Sequence, residues 1–400
     1  MTATVGRARP AVHRFSAATV GPVDAHDTDL VVVGGGIAGV SVAYELAAHG
    51  RVVLLEAEAD MPVHSTARSA ATYIPGHGSG PFRALIDASG PRFGALQTEL
   101  DTPPLLSPRP VLHLGDDDAG AAGIAAMLDE QRGEPHAPVE LDPAEALRRA
   151  PVLRRAPRAA AWTAGSADID AIALHDGYRR GLRARGGTVL RGARVTAVTR
   201  DGAGWRVATA AGHRVRAAAV VDAAGSWADE IAGLAGVPRA GLTPLRRTIA
   251  ACPVPDPAAL RVAGAPLPLI ADAAERWYLK PEADTVLVSP ADETPQPPGD
   301  ARPDELDVAR GLDRVGEITT LGLRSVRTAW AGLRTFAPDR APVLGEWPGH
   351  PGFHFVAGQG GSGIESSPAL AALAASVIVG TAVPDDVTLD PAVCSVTRLA

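Results

Sequence analysis

Leu30-Val31-Val32-Val33-Gly34-Gly35-Gly36-Ile37-Ala38-Gly39 is the stretch on which the fold turns. Four apolar residues in a row suit a strand buried on both faces. The glycines that follow allow a tight turn into a helix, which the pattern predicts to run to about His49, with Gly50 as its C′ residue. Arg51-Val52-Val53-Leu54-Leu55-Glu56 reads as the next strand, completing a βαβ unit of ordinary size. In Gly34-x-Gly36-x-x-Gly39 the first glycine permits the turn. The second lets backbone approach a pyrophosphate, and the third lets helix and strand pack closely. Phosphate charge then rests on the helix N-terminus. Glu56 ends the second strand, where its carboxylate can accept from a ribose hydroxyl and would repel a 2′-phosphate. The expected ligand is FAD or NAD rather than NADP.

Three segments further along favour FAD. Ser65-Thr66-Ala67-Arg68-Ser69-Ala70-Ala71 combines small residues with one arginine and can lie along an extended dinucleotide. Val220-Val221-Asp222-Ala223-Ala224-Gly225 is a second strand-to-glycine turn, as where a sheet edge meets a flat ring. Gly360-Gly361-Ser362-Gly363 opens a helix whose partial positive charge can face the N1/C2=O edge of a flavin. Between these, residues 116–150 look helical and polar, a helix is expected over 168–185 near Asp168 or Asp170, and short strands over 188–199, 204–210 and 213–222. A strand is expected over 352–357 and an apolar helix from Ser367 to Gly380.

Composition excludes several other chemistries. The 400 residues are 46% hydrophobic and 21% charged, enough to bury a large core of two domains or one interleaved fold. A net charge of −7 argues against nucleic acid or an anionic membrane as the main partner. Lys280 is the sole lysine, so no P-loop lysine exists and a pyridoxal Schiff base would have only that residue, in an unsupportive context. Cys252 and Cys394 cannot build a disulfide framework or a thiolate metal site. His350 and His354 are separated by Pro351-Gly352, which breaks the helix a shared metal would need, so no metal site is expected. No apolar run reaches the roughly 18 residues of a membrane span. Residues 1–27 carry Arg7, Arg9 and Arg14 without an apolar core and read as a disordered leader of a cytoplasmic protein.

From about Asp29 to Ser376 the chain resembles the FAD-dependent D-amino-acid oxidase and dehydrogenase family, and within it the D-arginine dehydrogenase-like enzymes. The resemblance is carried by VVVGGGIAG (31–39) with LLE (54–56), HSTARSAA (64–71), LLSPRP (105–110) and SADIDAIALHDGYRRG (166–181). VVDAAGSWADEIAGLAGV (220–237), ERWYLKP (275–281), WAGLRTFAPD (330–339) and AGQGGSGI (357–364) complete it. It implies an α/β (α+β) protein with a Rossmann-like FAD domain assembled from discontinuous segments, 28–103, 161–241 and 331–393. A mixed β-sheet substrate domain would comprise 104–160 and 242–330.

The resemblance also places the pyrophosphate on Gly34, Gly36, Ile37, Ala38 and Gly39, and the adenosine ribose on Glu56 and Ala57. It sets the flavin chain against Ser65, Thr66, Arg68, Ser69, Ala70 and Ala71, and the adenine side on Val195. Gly225, Trp227 and Gly332 lie near the FAD, with Gly360, Gly361, Ser362, Gly363 and Ile364 along the flavin's pyrimidine edge. Arg334 matches the arginine that binds the substrate carboxylate, and Arg247 and Tyr278 match further substrate positions. Relatives that attach flavin covalently use a cysteine near Gly332; none is present, so FAD is expected to be non-covalent.

Four departures bear on the substrate. Val111 stands where arginine-handling relatives carry an acidic residue, and His77 where an aromatic hydroxyl is expected. Thr72 replaces a histidine, and Ser362 a tyrosine. The carboxylate end of the pocket is kept while the cation-binding end is lost. This implies oxidation of a D-amino acid with an apolar or uncharged polar side chain to an imino acid, then to 2-oxo acid and ammonia. No catalytic base is assigned, since hydride transfer from a free amine needs none. A secondary-amine oxidase acting on N-methyl or cyclic amino acids, or a tailoring enzyme on an amino-acid-derived metabolite, is the alternative. The electron acceptor (quinone, carrier or oxygen) is open. Lys280 shares a strand face with Tyr278 and is expected to face solvent.

Overall fold

The computed structural model describes residues 25–400; of the expected leader, residues 1–24 lie outside the described residues. Residues 25–27 already belong to strand β1 (Ala25–Val33), which begins five residues before the apolar run, because the backbone from Ala25 pairs with Arg214 onward. Helix α1 (Ile37–Leu46) and strand β2 (Val52–Leu55) follow. The helix ends three residues before the expected His49. Ala47 caps it, and Gly50 is not left-handed but lies against the Asp29 side chain, leaving no room for a side chain of its own.

β1 is central to an eight-stranded sheet. It runs parallel to β2 on one side and to the Arg214–Asp222 strand on the other, which in turn pairs in parallel with Phe353–Ala357. The continuous apolar run is explained by this position. Leu30 and Val32 enter a core shared with α1, the Gly80–Glu99, Ala171–Ala184 and Ser367–Val379 helices, while Val31 and Val33 enter a second core with Trp205, Phe353 and Phe355. Gly380 adopts φ 71° and ends the Ser367–Val379 helix as expected. The polar 116–150 stretch holds two helices, Asp118–Glu130 and Pro143–Arg149, with a strand, Val139–Leu141, between them.

A second sheet of ten strands carries the other half of the molecule. Along it run Thr328–Phe336, Thr243–Pro253, Thr285–Ser289, Tyr278–Pro281, Leu269–Asp272, Val111–Gly115 and Ala159–Thr163. Thr328–Phe336 pairs over its whole length with Thr243–Pro253, so its C-terminal half, grouped from sequence with the cofactor segments, lies in this sheet. One face is packed by Leu112, Ile270, Leu279, Val288, Ala250 and their neighbours. The residues alternating with these point the other way. Among the described residues no helix is long and apolar enough to cross a membrane.

The tightest constraint in the βαβ unit is at Gly39, where an added Cβ would sit 1.8 Å from the Gly34 carbonyl oxygen. Both atoms are backbone, so neither yields without lifting α1 off the sheet. Gly39→Ala is therefore expected to exceed the about 1–3 kcal/mol typical of overpacking. A melting temperature and flavin content equal to wild type would contradict this.

Candidate functional site

A cavity of about 330 Å³ opens where β1, β2 and the Arg214–Asp222 strand end. Its floor is the turn into α1. Gly34 holds φ 106°, and a Cβ there would lie 2.5 Å from the Ala223 carbonyl oxygen. N-cap Gly36 has no side-chain oxygen to satisfy the first helical turn, so N–H groups of Gly36, Ile37 and Ala38 are available at the cavity wall, with Ile37 N–H shared with Thr66 Oγ1 at 3.0 Å. Gly39 lies behind the wall and serves packing.

The Glu56 carboxylate is pinned by two backbone donors, Gly35 N–H at 2.7 Å and Glu58 N–H at 2.8 Å. Each oxygen keeps a further lone pair for a hydroxyl. Ala57 and Val195 line the same end, and Gly225, at φ 57°, and Trp227 form the opposite wall. His64 packs on Trp227 with ring centroids 4.9 Å apart; its Nε2 is 3.2 Å from Glu58, while its buried Nδ1 has no protein partner. An uncapped helix start, a pinned carboxylate and an orphaned ring nitrogen around one elongated cavity fit a dinucleotide.

At the other end lie Ser65, Thr66, Gly360 and Gly363, joined by Leu333, Thr335 and Gln359, which sequence reading missed. Gln359–Gly360 pairs with Thr335–Phe336, which fixes the glycine loop beside the second sheet. Gly363 approaches Ile37, while Gly361 is open and Ser362 and Ile364 are buried outside the cavity wall. Arg68 turns away from the cavity: its guanidinium reaches Asp300 and the carbonyls of Ala301 and Ala331. Ser69 Oγ accepts from Ala71 N–H, and the Ala70 carbonyl accepts from Lys280 Nζ at 2.7 Å. Lys280 is thus not solvent-facing but 5% exposed, with Asp168 at 3.1 Å and Glu282 at 3.4 Å; three oxygens make its burial tolerable. His175, also missed, is buried beneath the turn and meets the Gly35 carbonyl at 2.8 Å; burial pushes its ring below the ordinary value.

Strand register gathers the substrate candidates. Arg334 and Gly332 alternate with core residues on Thr328–Phe336, and Arg247 pairs with Gly332. Across the sheet Lys280 pairs with Leu287, Tyr278 with Ala271, Ala271 with His113, and Leu269 with Val111. All of these lie on the face opposite the Leu112–Ile270–Leu279–Val288 core. A Cβ at Gly332 would lie 2.9 Å from an Arg334 nitrogen, so a larger residue there would displace the end of that side chain.

Arg334 is 7% exposed, and among the described residues no carboxylate pairs with it; its one hydrogen bond, at 3.5 Å, goes to the Arg68 carbonyl. Burial pushes its guanidinium down to about 10, with Arg247 adding to the effect and Tyr278 and Asp292 opposing it. It remains a cation at neutral pH. Arg247, by contrast, is engaged by Glu293 at 3.0 Å and the Asp292 carbonyl.

His77 sits on a turn between Gly76 and Gly78, both left-handed. Its Nδ1 meets Glu365 Oε1 at 2.8 Å, and the other Glu365 oxygen accepts from Ile74 N–H at 3.1 Å. Glu365 is 4% exposed and follows the glycine loop directly. Burial opposes charge on His77, but Glu365 outweighs it and raises the ring above the ordinary imidazole value; Arg247 opposes and Glu275 assists. His113 is pushed down to about 4 by burial and by the His77 charge. Val111 is fully buried two residues before it. Thr72, partly buried, has an unpartnered hydroxyl.

Residues 29–377 match the model of the family described as FAD dependent oxidoreductase. The chain belongs to that family. A curated relative, FAD-dependent oxidoreductase domain-containing protein 1 of Bos taurus, is 26% identical over 88% of this chain and 81% of its own. Among solved structures, glycine oxidase from Geobacillus kaustophilus superposes with a TM-score of 0.80 at 23% identity, covering 93% of this chain and 99% of that one. L-proline dehydrogenase from P. horikoshii gives 0.76 at 20% identity, over 90% and 96%. The protein is therefore a FAD-dependent oxidoreductase.

Because Glu56 is already oriented by two backbone donors, its loss removes a prepared acceptor. Glu56→Ala should weaken FAD binding by about 1–3 kcal/mol, measured by titrating apoprotein with FAD. An unchanged dissociation constant would remove Glu56 from the ribose site.

Proposed function

We propose that this enzyme oxidises the Cα–N bond of a D-amino acid whose carboxylate is held by Arg334, giving an imino acid that water converts to 2-oxo acid and ammonia. The observation that carries this is Arg334 itself: a desolvated cation, unpaired among the described residues, on the sheet face adjoining the glycine loop. A guanidinium held open in this way matches a carboxylate bidentately. Tyr278, on the same face, adds a hydroxyl donor, and Arg247 adds positive potential while its own hydrogen bonds are used.

Gly34–Ala38, Glu56, Ser65–Thr66 and Gly360–Gly363 would hold FAD non-covalently, and FAD would supply hydride acceptance. The chain's own residues bind and orient. Arg334 fixes the carboxylate, the surrounding sheet face excludes water, and the substrate Cα–H is directed to the cofactor by that anchor. The same clamp would serve an N-methyl or cyclic amino acid, and glycine oxidase and L-proline dehydrogenase share the fold. Anaerobic bleaching of the flavin by a panel of D-, L- and N-methyl amino acids decides: D-amino acids should bleach it fastest, and preference for L- or N-methyl substrates would overturn the stereochemical reading.

Arg334→Met should leave the flavin spectrum near normal and raise KM for amino acids by about 2–5 kcal/mol equivalent, roughly 30- to 5000-fold. Wild-type KM in that variant would exclude Arg334.

Val111 offers no charge, and the buried carboxylate that follows the glycine loop, Glu365, is taken by His77 and Ile74. A basic side chain there would lose water without an ionic partner, at several kcal/mol, against about 0.8 kcal/mol per buried methylene. D-Leu, D-Met or D-Phe should therefore exceed D-Arg in kcat/KM, with Val111→Glu shifting preference toward D-Arg. A tenfold preference of wild type for D-Arg would contradict this.

A further inference from the structure

The His77–Glu365 pair has a geometry that carboxylate binding does not use. Glu365, buried, accepts at Nδ1 and is itself oriented by Ile74 N–H. Nδ1 thereby keeps its proton in either state, and Nε2 is the atom that gains or loses one. The ring keeps 45% of its side-chain surface open, although protein surrounds it on its other sides. It belongs to the substrate region: its partner Glu365 follows the Gly360–Gly363 loop, and Gly78 beside it lies close to Ser362 of that loop.

We propose that His77, oriented by Glu365, is the base that takes a proton from the substrate ammonium before the Cα–H bond breaks. The proposal deepens, and rests on, the amino-acid reading above. An N–H bond of the ammonium breaks, its electron pair stays on nitrogen, and the proton bonds to His77 Nε2. That lone pair is then available to form the C=N bond as the Cα–H bond breaks, the hydride acceptance being what a bound flavin would supply. The exposed ring edge then returns the proton to solvent. His77 is the catalytic residue and Glu365 its positioning residue, as in other oriented histidine–carboxylate pairs.

The charged and titratable groups facing His77 come from several elements. Glu365 and Glu275 favour its protonated form, and Arg247 opposes it; His113 stands nearby on its strand. On its own turn, Asp87 accepts from Gly76 N–H and Arg83 donates to the Gly78 carbonyl. The balance raises the affinity of His77 for a proton, bringing it nearer that of the amine. It also means the base is blocked below its raised pKa, so the rate of flavin reduction should fall on the acid side.

Anaerobic stopped-flow reduction as a function of pH, with the best substrate of the panel, tests this. His77→Gln should lose about 100-fold at pH 7, with the loss shrinking at alkaline pH as the amine frees itself. Imidazole should restore His77→Ala at pH 7, and Glu365→Gln should move the acid limb to lower pH. Equal losses at every pH, or no loss, with no response to imidazole, would overturn the base while leaving the amino-acid reading standing. Failure of every amino acid to reduce the wild-type flavin would instead overturn that reading and the base with it.

Discussion

A buried guanidinium without a counter-ion is expensive, and among the described residues Arg334 has none, so the surrounding sheet face is arranged around it. Desolvating an ion costs several kcal/mol when no partner is supplied. The fold tolerates it through small concessions: a glycine at 332 that makes room for the side chain, a carbonyl of Arg68 at 3.5 Å, and Arg247 diverted onto Glu293. A carboxylate entering this place meets a cation already stripped of water and already aimed. On the proposed reading, the cost of burying this cation is what would favour a carboxylate ligand.

That arrangement depends on the two sheets meeting at one edge. Gln359–Gly360 pairs with Thr335–Phe336, so the glycine loop of the cofactor region is hydrogen-bonded to the strand that carries Arg334. Lys280 ties the second sheet to the carbonyl of Ala70 in the same way, and Arg68 reaches back to Ala301 and Ala331. The glycine loop and the Arg334 strand are thereby joined by one backbone pairing, and the surrounding segments by buried side-chain hydrogen bonds, which is the rigidity that orienting a Cα–H bond would require.

The cofactor half was legible in the sequence because its constraints are local. Gly39 is dictated by the Gly34 backbone five residues before it, and Val31 to Val33 by a strand sandwiched between two cores, whereas Gly34 is held by the distant Ala223 backbone and was legible from its motif. The ends of elements were less legible: α1 stops at Leu46, and Gly50, read as its C′ residue, instead lies against Asp29, a tertiary contact. Arg334 could be named from its motif, but that no carboxylate among the described residues pairs with it could not. Lys280 was misread because the three oxygens that make its burial tolerable come from residues 70, 168 and 282. Glu365 and His175 went unnoticed because each acts through a contact nearly 300 or exactly 140 positions away. Their only sequence signal was a carboxylate directly after the glycine loop and a histidine inside an otherwise ordinary amphipathic helix.

The central claim is that a carboxylate on Arg334 holds the substrate. It is tested most directly by comparing anaerobic flavin reduction by the best amino acid with reduction by the amine that lacks only its carboxylate, in wild type and in Arg334→Met. The account predicts that wild type favours the amino acid by a large factor and that the substitution brings the two close together. Equal reduction of the wild-type flavin by both compounds would contradict it.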